Sequence, residues 1–346
     1  PSATPRSQDE PQTAIPTDPS QASSAPASIR EQRWQTRPLG ATGRHVTPLG
    51  LGGAWLGRTE EGMDEDLGVA TVLRALDLGL NLIDTSAGYL GGRSEAIIGK
   101  ALRIWQQQGG RREDLVISTK TGTRKWRDRD YSAQGTLRSV ETSLELLGLD
   151  TLDVVLVHDP SDLEPVLAPG GAWEALKSLK AAGIVRAIGL GVRTHAFHRQ
   201  VIATGACDVV LTYRDYNLLH QTALDGVLEP AAERNVAVLN GMTLVSGLLT
   251  GRHPRKVVEG KDHHAGDEDE IRRAETLWRW ARERDVNLLA LNLQFCMRQS
   301  RIAATLVGAS TPEQVEADVA AAQAGIPDGV WDALPGQLPG FTAQDW

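Results

Sequence analysis

Two hydrophobic patterns alternate along the chain. Short runs rich in leucine and β-branched residues recur at VTPLGLGG (46–53), NLID (81–84), LVISTK (115–120), LDVVLVH (152–158), VRAIGLG (185–191), CDVVLT (207–212), VAVLNG (236–241) and IAATLVG (302–308). Each run is apolar on both faces, as expected of a strand covered on both sides in a parallel sheet. Between them lie stretches with apolar residues at helical spacing, such as VATVLRALDLG, TLRSVETSLELLG and AWEALKSLKAAG. Gly148 and Gly183 stand where a helix-ending glycine belongs. Thr311, Pro312 and Gln314 read as the N-cap, first and third residues of another helix. Eight strand–helix units in this length predict an α/β fold, the (β/α)8 TIM barrel. The competing arrangement is a doubly wound open sheet. The lack of a GxGxxG after the first run argues against it.

Ahead of the barrel, RPLGATGR followed by HVTPLG reads as a short hairpin that caps the barrel bottom. Residues 1–33 are rich in Pro, Ser, Ala and Gln and carry too little apolar surface to offset the entropy of ordering, so a disordered tail is expected. Residues 34–346 then form one barrel domain. The polar, charged stretch 251–270 lies after the seventh run, at the end of a barrel where long loops act as lids or binding loops.

Composition narrows the partners. The 346 residues carry a net charge of −8 with no dense basic block, which disfavours nucleic acid and anionic membrane. No apolar run approaches the ~20 residues of a membrane span. The tail lacks the apolar core of a secretory signal. The two cysteines, Cys207 and Cys296, have no CxxC spacing and sit in apolar surroundings. They read as core residues in a reducing compartment, so a cytoplasmic location is expected.

The candidate chemistry lies at the strand ends. In a barrel, catalytic groups sit at the C-terminal ends of strands. Here the second, third and fourth runs end on Asp84, Lys120 and His158, and Tyr89 follows Asp84 by one loop. Taken singly, each has an ordinary account: a cap, a rim charge, a core histidine, a packing tyrosine. Together, on adjacent strands, they make a proton-transfer device. A phenol with a reference pKa of about 10 is a poor acid or base near neutrality. A nearby ammonium favours its anion, and a carboxylate keeps that ammonium charged and in place. A neutral imidazole orients a carbonyl oxygen. The set moves a proton between a carbonyl and an alcohol but carries no hydride, which a nicotinamide would supply. A metal-dependent hydrolase using His158, Asp159 and Asp84 is disfavoured, because no HxH or HExxH spacing supports it, and no metal is expected.

These motifs resemble the aldo-keto reductase superfamily from about Arg37 to Gln323. DTSAGYLGGRSEAIIGKAL is similar to its signature, and STKTG, LVHDP, VRAIGLG and SGLLTG fall in its order. TLVGASTPEQVEADVAAA resembles its C-terminal cofactor segment. The resemblance implies NAD(P)(H) bound in extended form, with Asp84, Tyr89, Lys120 and His158 as the catalytic tetrad and Tyr89 as proton donor in reduction. It places Trp55 near the substrate mouth. It implies cofactor contacts from Gly191, Thr212, Gly241, Leu244, Ser246, Gly247, Leu249, Arg252, Gly308, Ser310, Gln314 and Asp318.

Several positions depart from the common pattern. Gly308 and Gln314 stand where many members carry the Lys and Arg that read the 2′-phosphate of NADP. The cofactor is therefore NADP or NAD: family usage leans to NADP, and the missing clamp leaves NAD open. Arg252 or Arg255 is a candidate replacement. Gly191-Val192 replaces Ser-Asn, Thr212 replaces a Gln, and Asn240 or Gly241 replaces the aromatic that stacks on nicotinamide. The departures look most like the branch of L-fucose/D-threo-aldose, L-galactose and D-arabinose 1-dehydrogenases. That branch implies oxidation of a sugar hemiacetal to a lactone, and the wider family an aldehyde or ketone substrate. The competing function is a nucleotide-sensing regulatory subunit, like the β subunits of potassium channels, with the N-terminal tail as tether. Nothing in the pattern specifies an oligomeric state.

Overall fold

The computed structural model describes residues 34–125, 127–259 and 266–345. The expected tail, residues 1–33, and residues 260–265 of the 251–270 loop lie outside the described residues. Eight parallel strands close into a barrel: β1 (Leu49–Gly52), β2 (Leu82–Asp84), β3 (Val116–Thr121), β4 (Leu152–His158), β5 (Val185–Gly191), β6 (Val209–Tyr213), β7 (Ala237–Gly241) and β8 (Ala304–Gly308). β8 pairs with β1 through Thr305↔Leu49 to Gly308↔Gly52, so the sheet has no free edge. All eight apolar runs became barrel strands, and the open-sheet alternative falls on this closure.

Helices cover the outside: α1 (Glu65–Asp77), α2 (Arg93–Gln107), α3 (Ala133–Leu147), α4 (Ala172–Ala181), α5 (His195–Ala203), α6 (Glu229–Glu233), α7 (Glu268–Arg282), α8 (Leu288–Arg298) and α9 (Pro312–Gln323). α7 is an addition between β7 and the barrel helix α8. It starts on a full capping box, Asp267 with Glu270. The end signals in the sequence do their work. Gly148 closes α3 in the left-handed region at φ 67°, and Thr311 accepts from Gln314 N to cap α9. Within 251–270 the described part forms a short helix, Pro254–Val258, and the start of α7.

Period-two alternation divides the core into two layers. Leu82, Val116, Val154, Leu156, Ala187, Val209, Leu211, Ala237, Leu239, Ala304 and Leu306 fill the barrel interior. Ile83, Ile117, Val155, Val157, Ile188, Leu190, Val210, Val238 and Val307 face the helices. This double burial is why the strands read as continuous apolar runs.

The bottom is closed as expected. Arg37–Pro38 pairs antiparallel with His45–Val46, and Leu39 and Val46 are fully buried in the interior cluster. Arg37 pins the hairpin by donating to the carbonyl oxygens of Ile302 at 2.9 Å, Gln299 at 3.2 Å and Met297. With the bottom plugged by apolar side chains, polar groups that point inward collect at the other end. Cys207 and Cys296 are buried in the outer layer, as expected of core thiols, and burial pushes the Cys207 thiol up to about 12.

Candidate active site

Strand parity decides which side chains enter the barrel mouth. In β2, Leu82 packs inside and Ile83 outside, so Asp84 turns inward. In β3, Val116, Ser118 and Lys120 share the inner side; in β4, Val154, Leu156 and His158 do. Pairing is stepped: Asp84 lies opposite Ser118, Lys120 opposite Leu156, and His158 opposite Gly191. Each strand thus ends with its polar group one interior layer above its neighbour's partner.

Lys120 and Asp84 are 1% and 3% exposed, and Nζ sits 2.5 Å from Oδ2. Nζ also donates to Thr85 O at 2.7 Å, and Ser118 Oγ donates to the other carboxylate oxygen at 2.8 Å. Burial opposes the lysine charge, but Asp84 and the nearby phenol more than offset it and hold the pKa above the ordinary lysine value. The third ammonium face lies under Tyr89, 4.7 Å from the ring centroid.

Tyr89 is placed by the turn after β2. Its N–H donates to Ser86 O at 3.2 Å, and Leu90 follows in the left-handed region at φ 54°. Gly88 lets this turn press onto the loop after β3: a Cβ there would stand 2.4 Å from Thr123 O. The phenol pKa lies above its ordinary value, because burial raises it more than Lys120 lowers it. The sequence reading expected the lysine to win. Crowding of the site by Asp84 and Asp159 adds to the burial and reverses the sign.

His158 stands edge-on to Tyr89, with ring centroids 5.5 Å apart. Two hydroxyls converge on Nδ1, Thr123 Oγ1 at 2.8 Å and Ser86 Oγ at 3.0 Å. Burial, helped by the Lys120 and Arg129 charges, depresses its pKa well below the usual histidine value, so the ring is neutral. The loops carrying Ser86 and Thr123 are tied down beneath. Buried Glu95 accepts from Thr119 Oγ1 at 2.7 Å and from Arg124 at 3.1 Å, and Ser94 Oγ donates to Gly53 O at 2.8 Å. Sequence reasoning missed Ser86, Thr123 and Tyr213 around His158, and weighed Asp159 only as part of a metal-dependent hydrolase. The one available signal was the position of each, at or just past a strand end.

The other candidates divide by the same parity. Gly191, Gly241 and Gly308 continue the inward rows of β5, β7 and β8, so their backbones border the mouth. Thr212 does not join them. It lies on the helix side with Val210 and donates to Asp215 at 3.0 Å, while Tyr213 takes the inward position. Asn240 is likewise turned outward and donates to Tyr216 O at 2.9 Å, so it offers no face to a ring. Leu249 is fully buried in the outer core and Leu244 packs against that core; Ser246 and Gly247 form a tight turn with φ of 56° and 97°.

Trp55 lies across the end of β8. A Cβ at Gly308 would come within 2.8 Å of its Cδ1, so the indole occupies the space a side chain at 308 would need. It is 48% exposed, and Met242, just past β7, is 45% exposed. These are two of the three large exposed hydrophobics among the described residues, and both flank β8. Ser310 N–H already donates to Gln314 Oε1 at 2.8 Å, so it is engaged within the start of α9. Arg255 is engaged by Glu268 at 2.6 Å and Glu275 at 3.1 Å, whereas Arg252 is exposed and has no ion pair among the described residues. Asp318 is buried in α9 without a hydrogen bond or ion pair among the described residues, and burial pushes its carboxyl up to about 7. Trp55 is covered on one face by the Arg58 guanidinium, 4.7 Å from the ring centroid, so an indole and a thioether flank the end of β8 with apolar surface still exposed. Among the described residues no group of three or more His, Cys, Asp or Glu gathers to hold a metal, and no helix is long and apolar enough to cross a membrane.

The sequence model of the Aldo/keto reductase family matches residues 48–335. The chain is 32% identical to L-galactose dehydrogenase of Arabidopsis thaliana over 83% of its own length and 88% of that protein. It is 29% identical to D-threo-aldose 1-dehydrogenase of a Pseudomonas species, over 85% of this chain and 94% of the other. The holo form of the aldo-keto reductase AKR11C1 from Bacillus halodurans superposes with a TM-score of 0.73 at 25% identity, covering 90% of this chain and 99% of that one.

The Asp318 geometry has a consequence for stability. Its folded pKa of about 7 lies above the ordinary 3.8, so stability falls as pH rises from about 4 to about 7, where only the unfolded chain is ionised, and is level above that. Asp318→Asn therefore raises the melting temperature of the ligand-free protein, and by more at about pH 8 than at about pH 4.5. Equal shifts at the two pH values would contradict the burial of a partnerless carboxyl.

Proposed function

The chain belongs to the aldo/keto reductase family of oxidoreductases, and from that premise we propose that it oxidises a sugar hemiacetal to its lactone with NAD, Tyr89 serving as the base. The observation that carries the reading is the buried Lys120–Asp84 pair beneath Tyr89, with neutral His158 beside it. The similarity to two named aldose dehydrogenases favours a sugar hemiacetal over a simple aldehyde or ketone.

A nicotinamide dinucleotide, when bound, supplies the hydride acceptor, or the donor in the reverse direction. The chain's residues supply the rest. Gly308, Ser310, Arg252 and Asp318 would hold the dinucleotide, with Trp55 and Met242 as its apolar cover. His158 is neutral; with either hydroxyl donating to Nδ1, the ring proton sits on Nε2 and orients the substrate oxygen. Tyr89 takes the hydroxyl proton in oxidation and returns it in reduction. Lys120, kept charged by Asp84, stabilises the phenolate that forms.

The NAD preference rests on the missing cations. Trp55 excludes a lysine at 308, Gln314 is neutral and spent on Ser310, and Arg255 is neutralised by two carboxylates. Arg252 alone remains, enough for a pyrophosphate and too little for an added 2′-phosphate. The regulatory-subunit reading depends on residues 1–33, which lie outside the described residues.

Two outcomes follow. Tyr89→Phe lowers the rate of aldose oxidation by ~10²-fold or more while NADH binding, measured by calorimetry, is retained. Because the phenol pKa is raised, the wild-type oxidation rate climbs with pH into the alkaline range as the base form fills; full activity in the variant would sink the proposal. In the same calorimeter NADH binds at least about tenfold more tightly than NADPH, roughly 1.4 kcal/mol. Equal or reversed affinities would overturn the cofactor assignment.

A further inference from the structure

One carboxylate at the mouth touches neither Tyr89 nor Lys120 by a hydrogen bond, and beyond raising the Tyr89 pKa it is not accounted for by the proton device. Asp159 follows His158 directly, and its backbone sits in the left-handed region at φ 44°, a conformation that costs a non-glycine residue energy. It is held there from both sides. Its N–H donates to Gly191 O at 2.8 Å, and Arg129 donates to its carbonyl oxygen at 2.6 Å. The result is a side chain turned back over the site rather than away from it.

The two carboxylate oxygens differ. Oδ1 accepts from Tyr213 Oη at 3.1 Å, which fixes the rotamer. Oδ2 accepts no hydrogen bond among the described residues and lies 3.7 Å from His158 Nε2. That distance is too long for a hydrogen bond, so Asp159 does not hold the imidazole; the Ser86 and Thr123 hydroxyls do that from the other nitrogen. The side chain is 19% exposed, enough for a ligand to reach.

We infer that Asp159 is a specificity-determining residue that accepts a hydrogen bond from the substrate hydroxyl on the carbon next to the one oxidised. The inference rests on the proposed hemiacetal oxidation and names the substrate class for it: aldoses with a free 2-hydroxyl. If His158 Nε2 orients the reacting oxygen, Oδ2 stands one substituent further along the sugar. The anomeric carbon of a cyclic aldose has two neighbours in the ring, the ring oxygen and C2. The ring oxygen carries no proton and is repelled by a carboxylate, whereas the 2-hydroxyl donates to it. An acceptor at this place therefore selects the hydroxyl and sets the sugar's direction in the mouth. A simple aldehyde leaves the carboxylate desolvated and unpaired, the situation in which polar sites discriminate most strongly.

The test compares aldoses with their 2-deoxy counterparts, L-galactose with 2-deoxy-L-galactose first and then a panel of such pairs, with methylglyoxal as a simple carbonyl. Wild type, Asp159→Asn and Asp159→Gly are measured; both substitutions suit the positive φ, so the loop is kept. The expected wild-type ratio of kcat/KM, 2-hydroxy over 2-deoxy, is about 30-fold or more, and it falls below about fivefold in both variants, with the loss chiefly in KM. A wild-type ratio near one, a ratio retained in the variants, or turnover of methylglyoxal without any aldose overturns the inference and leaves the oxidoreductase intact. Turnover of no aldose and no carbonyl sinks the proposed function itself, and the inference with it.

Discussion

The structure is organised around a buried charge. An ammonium and a carboxylate at the barrel axis are costly to desolvate, and the pair persists only because its geometry and its extra hydrogen bonds are nearly complete. Lys120 and Asp84 meet that condition through Ser118 and the Thr85 carbonyl. Removing either partner alone would leave an unpaired charge, a penalty of about 3–5 kcal/mol in such sites. A hydrophobic pair would serve stability as well or better. What the ion pair adds is a fixed positive charge beneath Tyr89, which apolar packing cannot supply.

The rest of the barrel makes that charge possible. The hairpin plug and the interior leucines and valines dry the lower barrel, so the inward polar row begins only at the top layer. The Gly88 contact brings the turn after β2 against the loop after β3, which sets the phenol over the ammonium and the Ser86 and Thr123 hydroxyls on the histidine. The arc from β7 to β8 is different in kind. There Trp55 and Met242 stand exposed on either side of β8, with apolar surface where the other side of the mouth carries hydrogen-bonded polar groups.

Much of this was legible before the fold was known. The eight runs marked the strands because double burial writes an apolar run, and the ionisable residues ending three of them stood out because Asp84, Lys120 and His158 all fall on the inward parity of their strands. The helix caps at Gly148 and Thr311 were equally plain. The outward turn of Thr212 was not legible because a one-residue choice at a strand end decides between core and mouth, and only the register makes Tyr213 the inward one. The sign of the Tyr89 shift was missed because sequence shows the neighbouring lysine but not the depth at which the phenol sits. Arg255 looked free in the sequence because Glu268 and Glu275, its partners, come from a helix whose approach no local pattern encodes. Asp159 gave no signal of its own: its importance lies in a backbone angle and a 3.7 Å separation.

The central claim is that this buried pair serves a proton transfer coupled to hydride transfer from carbon to a nicotinamide. The most direct measurement follows the hydrogen itself. An aldose deuterated on its anomeric carbon is oxidised by the protein with NAD, and the recovered NADH is weighed by mass spectrometry. The account predicts one deuterium on the nicotinamide ring of each NADH formed. Product that forms while the deuterium appears in water, or is retained on the sugar, would contradict it.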